Sequence, residues 1–320
     1  IYQDLGIDGI VSPEDIAAQE IINLLKQNVA TETHDFAGGK LELLMIKLEP
    51  NAPSINKTLE ELIENYKHID FKALAIHRRQ NTFIPKADDI FHEGDLVYVI
   101  TKPHAIKELM ELSGKTKFNI NNVMIVGGGR IGKMTAKRLE NDLNIKIIEQ
   151  DKERSFELTN VLSNTLVVNA DARNVDLLED EGIKDMDAFI AVTENTETNI
   201  LTCLQAKSFG VKRTIAMVEN IDYIDISQNI GIDTIINKKL IAASYMVRYT
   251  LGGNVSSLKC LSGIDADIVE FVVRDGAAVT EKPINRLNMP EGAIIGGIIR
   301  GEDSYIATGN FQIQAEDRVV

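Results

Sequence analysis

The sequence predicts an α/β protein, a doubly wound parallel sheet joined to small α+β domains, and three observations carry that expectation. Between Asn122 and Ile236 short apolar runs alternate with amphipathic stretches. Buried strands alternating with helices are the pattern of a parallel sheet covered on both faces. Residues 123–126 then lead directly into Gly127-Gly128-Gly129-Arg130-Ile131-Gly132, a glycine-rich turn that opens a helix. Finally, the chain repeats itself. Leu5-Gly6-Ile7-Asp8-Gly9-Ile10 returns 225 residues later as Ile230-Gly231-Ile232-Asp233-Thr234-Ile235, and Leu59-Glu60-Glu61-Leu62 returns as Ile284-Asn285-Arg286-Leu287. Phe83-Ile84-Pro85 and Gly94-Asp95-Leu96-Val97 return at a shift of 222, so one loop is shorter by three residues. Solenoid periods run to roughly 20–50 residues, so a repeat this long is a duplicated domain pair.

Taken in order, the strands of the central domain fall at 123–126, 145–149, 165–169, 188–192, 214–218 and 234–236. The helices between them fall near 131–141, 152–162, 195–208 and 223–229. Residues 238–249 read as a helix leading out of the domain, and Gly252-Gly253-Asn254 as a link. The flanking caps read as strand, turn, short helix and further strands, with 268–273, 294–299 and 318–320 as apolar strand segments. Each cap is small for an independent core and is expected to pack against another copy. The expected boundaries are 1–29 for the end of a first nucleotide-type domain, 30–114 for a first cap, 115–250 for a second nucleotide-type domain and 251–320 for a truncated second cap. By repeat arithmetic, roughly 120 residues of the first unit precede Ile1.

Composition narrows the function classes. A net charge of −14 argues against nucleic acid or an anionic membrane surface as the main partner. Cys203 and Cys260 match no metal spacing and suit buried thiols in a reducing cytosol. No apolar run approaches the ~18 residues of a membrane span.

The glycine run satisfies G-x-G-x-x-G in a Rossmann-like context, with Glu149 at the end of the next strand. Gly127 permits the tight turn, Gly129 lets the backbone approach a diphosphate, and Gly132 lets the helix lie close to the strand. The helix N-terminus offers free N–H groups to the phosphates. Glu149 is expected to accept hydrogen bonds from the adenosine ribose, and its charge disfavours a 2′-phosphate. The competing reading keeps the turn for helix–sheet packing alone. Asp171 follows the third strand and reads as a ligand or as a helix cap. Thr193 and Glu194 follow the fourth strand, beside the switch point, and read as ligand contacts. Arg130 either pairs with a phosphate or is a solvated first-turn arginine.

An NAD-dependent oxidoreductase is the alternative. It needs an acid or base facing the nicotinamide, yet the histidines at 34, 68, 77, 92 and 104 all lie outside the nucleotide domain. His77 and His92 fall on strand-like segments of the first cap and read as structural. No nucleophile elbow, Walker lysine motif or H-E-x-x-H segment is present. The chain reads as a protein that binds and reports a nucleotide, not as an enzyme.

The segments 125–132, Ile147-Ile148-Glu149-Gln150-Asp151, Asn169-Ala170-Asp171 and Phe189-Ile190-Ala191-Val192-Thr193-Glu194 closely resemble the second half of the TrkA family, tandem regulator-of-potassium-conductance (RCK) subunits of bacterial Trk potassium uptake systems. The resemblance covers the whole chain, including Pro290-Glu291-Gly292-Ala293-Ile294-Ile295-Gly296 and Arg300-Gly301. It implies a Rossmann-like domain that takes NAD(H), or ATP or ADP, on Gly127, Gly128, Gly129, Arg130, Ile131, Gly132, Glu149, Asp171, Thr193 and Glu194. It also implies small α+β RCK C-terminal domains and a homo-oligomeric, tetrameric ring. That ring would sit at the cytoplasmic face of the membrane beneath a Trk-type potassium channel subunit.

Overall fold

The computed structural model describes residues 11–27, 32–79, 81–115, 118–250, 255–260 and 266–320. Two compact units emerge. One joins Ile1–Asn28 to Asn119–Met246, and the other joins Val29–Phe118 to Val247–Val320. The first repeat copy at residues 5–10 and the glycine link at 252–254 lie outside the described residues.

Helix α1 (Pro13–Gln27) starts where the sequence signals a start. The Ser12 hydroxyl accepts from the Asp15 N–H at 3.3 Å, Pro13 opens the helix, and Glu14 and Asp15 face its positive end. The first cap follows with β1 (Glu32–Phe36), β2 (Leu41–Lys47), α2 (Leu59–Asn65), β3 (Phe71–Arg78), β4 (Asn81–Phe83), β5 (Leu96–Thr101) and α3 (Ile106–Leu112). Helix α2 has a capping box in which the Thr58 hydroxyl accepts from Glu61 N–H while the Glu61 carboxylate accepts from Thr58 N–H.

The nucleotide-type domain contains β6 (Asn122–Val126), α4 (Arg130–Leu139), β7 (Asn144–Glu149), α5 (Lys152–Val161), β8 (Thr165–Asn169), α6 (Val175–Asp180), β9 (Ala188–Ala191), α7 (Thr196–Ser208), β10 (Arg213–Met217), α8 (Asp222–Asn229), β11 (Thr234–Ile236) and α9 (Lys238–Thr250). Its six strands are all parallel, in the order β11-β10-β9-β6-β7-β8. The predicted strands and helices are all present, with ends displaced by one or two residues. Helix α6 was not expected from the sequence; the Asn174 side chain caps it by accepting from Asp176 and Leu177 N–H. Strands β6 and β9 are buried on both faces through Val123, Met124, Phe189 and Ile190. Cys203 packs within one of these cores, and burial pushes its thiol pKa up.

Glu140, at the end of α4, ties that helix to the start of β8. Its carboxylate accepts from Ser163 and Asn164 N–H at 2.9 Å, from the Thr165 hydroxyl at 3.1 Å and from Lys137 Nζ at 2.8 Å. Burial alone would raise its pKa, but these bonds outweigh it and hold the carboxyl at about 2, against an ordinary 4.5. A depressed carboxylate pKa stabilises the fold above the unfolded value and loses that contribution as pH falls through the folded one. The melting temperature is therefore expected to drop between pH 4.5 and pH 2. A Glu140→Gln variant should show a shallower drop over that window, and an unchanged pH profile would contradict this assignment.

The second cap holds β12 (Val255–Cys260), β13 (Asp267–Val272), β14 (Gly297–Arg300), β15 (Asp303–Ile306) and β16 (Arg318–Val319). Its sheet order β12-β13-β16-β14-β15 reproduces the first cap's β1-β2-β5-β3-β4. The duplication extends to individual bonds. Arg78 pairs with buried Asp95 at 2.7 Å and donates to Ile90 O; Arg300 pairs with buried Asp317 at 2.7 Å and donates to Gln312 O. All three positions keep the shift of 222. The caps of the one chain share a core, with Leu43, Leu74, Tyr98 and Ile100 of the first packing with Ile268, Ile299 and Val320 of the second. Lys72 Nζ adds bonds to Ile295 O and Ala307 O at 2.9 and 3.0 Å. His77 is buried beside the Thr82 hydroxyl on β3, as a structural residue. His92 is not on a strand; it lies in the turn before β5, where its N–H donates to Asp95.

Candidate functional site

The site sits at the C-terminal ends of β6, β7, β8 and β9. Strand β6 lies between β7 and β9, so the connections leave it in opposite directions and open a crevice there. The glycine turn occupies that crevice. Gly127 has φ +101°, and a Cβ on it would meet the Thr193 N and Val192 carbonyl at 3.0 Å. A Cβ on Gly132 would lie 2.0 Å from Gly127 O. Both positions need glycine to bring α4 and β9 against the turn. At Gly128 a Cβ would approach Leu158 Cδ1 to 2.3 Å, so that side chain would have to shift. Gly129 differs: a Cβ would meet no protein atom within 4 Å. It is the N-cap of α4 and offers no side-chain cap, so the first amides of that helix face open space.

Glu149 is buried, and its carboxylate closes the turn from the other side. Oε2 accepts from Gly128 N–H and Oε1 from Asp151 N–H, both at 2.8 Å. Arg154 Nη1 stands 3.7 Å from Oε2. A carboxylate has about four lone-pair sites, so two remain for another donor.

A cleft of about 350 Å³ brings together Gly127, Gly129, Glu149, Asp171, Thr193 and Glu194. A second, of about 660 Å³, is lined by Gly128, Gly129, Arg130, Ile131 and Glu194. Gly129, Glu194 and Arg154 line both. Gly132 lines neither and serves the packing. The Ile131 side chain is buried among the core residues. Arg130 is largely exposed and its Nη1 lies 3.9 Å from Glu14 Oε1 on α1.

Asp171 does not cap α6, which corrects that part of its expected role. Its carboxylate accepts from Arg173 Nε, Nη2 and N–H, and the Arg173 bonds hold its pKa below the usual carboxylate range. Asn195 does cap α7, accepting from Thr198 N–H at 2.6 Å.

Two contributors went unread in the sequence. Arg154, in the first half of α5, is placed between both clefts only by the packing of that helix. Asn199 is fully buried; its Oδ1 accepts from Thr193 N–H at 2.9 Å and from the Thr193 hydroxyl at 2.6 Å, while Nδ2 donates to Thr193 O and Met217 O at 2.9 Å. It holds the Thr193 loop to the end of β10. A polar residue one turn after a cap, on the buried side of α7, is the trace it leaves in the sequence.

The arrangement suits an elongated anionic ligand, with N–H donors for a diphosphate and carboxylates for hydroxyl groups. No cluster of side chains that could hold a metal ion occurs among the described residues, nor any helix long and apolar enough to cross a membrane.

The TrkA-N domain family model matches residues 123–238, and the TrkA-C domain model matches twice, over 43–114 and 268–320. The Trk system potassium uptake protein TrkA homolog 2 of Methanosarcina mazei is 31% identical over 319 residues, 99% of this chain and 70% of the relative. The TrkA protein of Vibrio alginolyticus is 30% identical over 320 residues, 99% of this chain and 70% of its own. Among solved structures, the GsuK RCK domain has a TM-score of 0.54 at 18% identity, covering 98% of this chain and 67% of that one. The GsuK channel bound to NAD has a TM-score of 0.52 at 18% identity, covering 98% of this chain and 56% of the channel chain; this likeness is one of fold. With a Rossmann-like domain, two cap domains and full-length kinship of this kind, the chain belongs to the TrkA family of Trk system potassium uptake proteins.

Proposed function

We propose that this chain is a nucleotide-binding regulatory subunit of a potassium uptake system. In this reading the glycine-turn cleft takes NAD(H), with ATP or ADP as related ligands, and the bound state controls a Trk-type channel subunit at the inner face of the membrane. The observation that carries it is the open face of Gly129 at the start of α4, beside the Glu149 carboxylate. The diphosphate lies over Gly127, Gly128, Gly129 and the first amides of α4, with Arg130 within reach. Glu149 and Asp171 serve the adenosine half. Thr193 and Glu194 border the other half. The chain assembles as a homo-oligomer, a tetrameric ring, in which ligand acts by having different affinities for two arrangements. The oxidoreductase alternative would need a proton donor other than histidine, since neither cleft is lined by one.

Calorimetry tests the ligand assignment. NAD is expected to bind more tightly than NADP, because the Glu149 carboxylate repels a 2′-phosphate. Glu149→Gln should weaken NAD by about tenfold, the worth of a hydrogen bond to a charged acceptor, and narrow the NAD–NADP difference. Glutamine is preferred to alanine because it keeps an acceptor for Gly128 N–H. NADP binding more tightly than NAD would remove the assignment. Light scattering on the same samples should give a mass of several chains, and a monomer with and without ligand would overturn the ring.

A further inference from the structure

Helix α1 brings a carboxylate to the rim of the cleft. Glu14 lies in the first turn of α1, and its Oε1 stands 3.9 Å from Nη1 of Arg130, the first residue of α4 after the glycine turn. Glu14, Gly129, Arg130 and Lys133 line the same cleft of about 660 Å³. The rest of α1 is anchored independently. Arg138, two turns along α4, is paired with Asp15 and donates to Gln19 Oε1 at 3.1 Å. Ala17, Ala18, Ile21 and Ile22 are buried. The first turn is itself held by Arg138 through Asp15, so what faces Arg130 is the Glu14 side chain, 3.9 Å from a guanidinium that is 80% exposed.

A phosphate seated on the first amides of α4 comes within reach of the same guanidinium. Carboxylate and phosphate then compete for one cation. We propose that Glu14 is a specificity-determining residue of the nucleotide site: its carboxylate holds Arg130 in the ligand-free protein, opposes phosphate binding, and gives Arg130 up when an anionic ligand takes it. This rests on the nucleotide reading above. The coupling is reciprocal, so loss of the Glu14–Arg130 contact raises ligand affinity by the same factor by which ligand weakens that contact.

The test is a calorimetric cycle on the full chain with ADP, and with adenosine as the uncharged control. Glu14→Gln should bind ADP about two- to fivefold more tightly than the unmodified protein, the range open to an exposed ion pair, with adenosine unchanged. The gain should fade at high salt. In an Arg130→Gln background, Glu14→Gln should bring no gain. Equal ADP affinities for the unmodified protein and Glu14→Gln overturn the proposal while leaving the nucleotide site in place. So does a gain that persists undiminished without Arg130. Failure of the unmodified protein to bind ADP, NAD and adenosine alike overturns the nucleotide reading and this proposal with it.

Discussion

Replacing Gly129 by valine is expected to lower nucleotide affinity by at least tenfold while leaving the fold intact. A Cβ at this position meets no protein atom within 4 Å, so the added methyl groups project into the space assigned to the diphosphate. The remaining cost is a poorer helix cap, about 1 kcal/mol or less, or roughly 2–4 °C in melting temperature for a domain of this size. Affinity and stability are thus separated at one residue. A Gly129→Val protein that melts normally and binds NAD as well as the original would show that the diphosphate lies elsewhere.

Gly132→Ala should do the opposite. Its Cβ would sit 2.0 Å from Gly127 O and 3.2 Å from the Gly127 carbonyl carbon. The obstacle is backbone on both sides, so relief requires α4 to move away from the turn. Overpacking of this kind costs about 3 kcal/mol or more, a loss of roughly 6–12 °C. Nucleotide affinity falls only as a consequence, since Gly132 lines neither cleft. A Gly132→Ala protein with an unchanged melting temperature would contradict the close approach. The two substitutions together separate the ligand reading of the glycine motif from the packing reading.

The central sheet was legible because its strands are buried on both faces. Residues such as Val123, Met124, Phe189 and Ile190 must be apolar in succession, and the glycine and acidic turns between them mark the ends. The short α6 escaped because six residues give less than two turns of periodicity; only the Asn174 cap announces it. The caps were harder. Their strands β4, β15 and β16 are two to four residues long, too short for alternation to show, and β16 is defined by the distant partners β13 and β14. The repeat compensated: α1 and α9 begin 225 residues apart, at Pro13 and Lys238, and β4 and β15 begin 222 apart, at Asn81 and Asp303.

The candidate site was legible where chemistry is local. The glycine turn and Glu149 are set by one strand–turn–helix–strand unit. Asn199 and Arg154 were not, because each matters through a partner on another element. Asp171 illustrates the intermediate case. Its position after β8 was readable, but the bidentate contact with Arg173 that replaces the expected cap depends on side-chain geometry. Glu149 was read for a ligand alone, whereas its first task in the folded chain is to hold the Gly128 and Asp151 amides.

The most direct test of the central claim is the electron density of crystals grown with NAD. A diphosphate is expected over Gly129 at the start of α4, with an adenosine ribose within hydrogen-bond distance of the Glu149 carboxylate and the other nucleoside beside Thr193 and Glu194. A well-ordered dinucleotide bound away from the glycine turn, or the same turn left empty at saturating NAD, would contradict it.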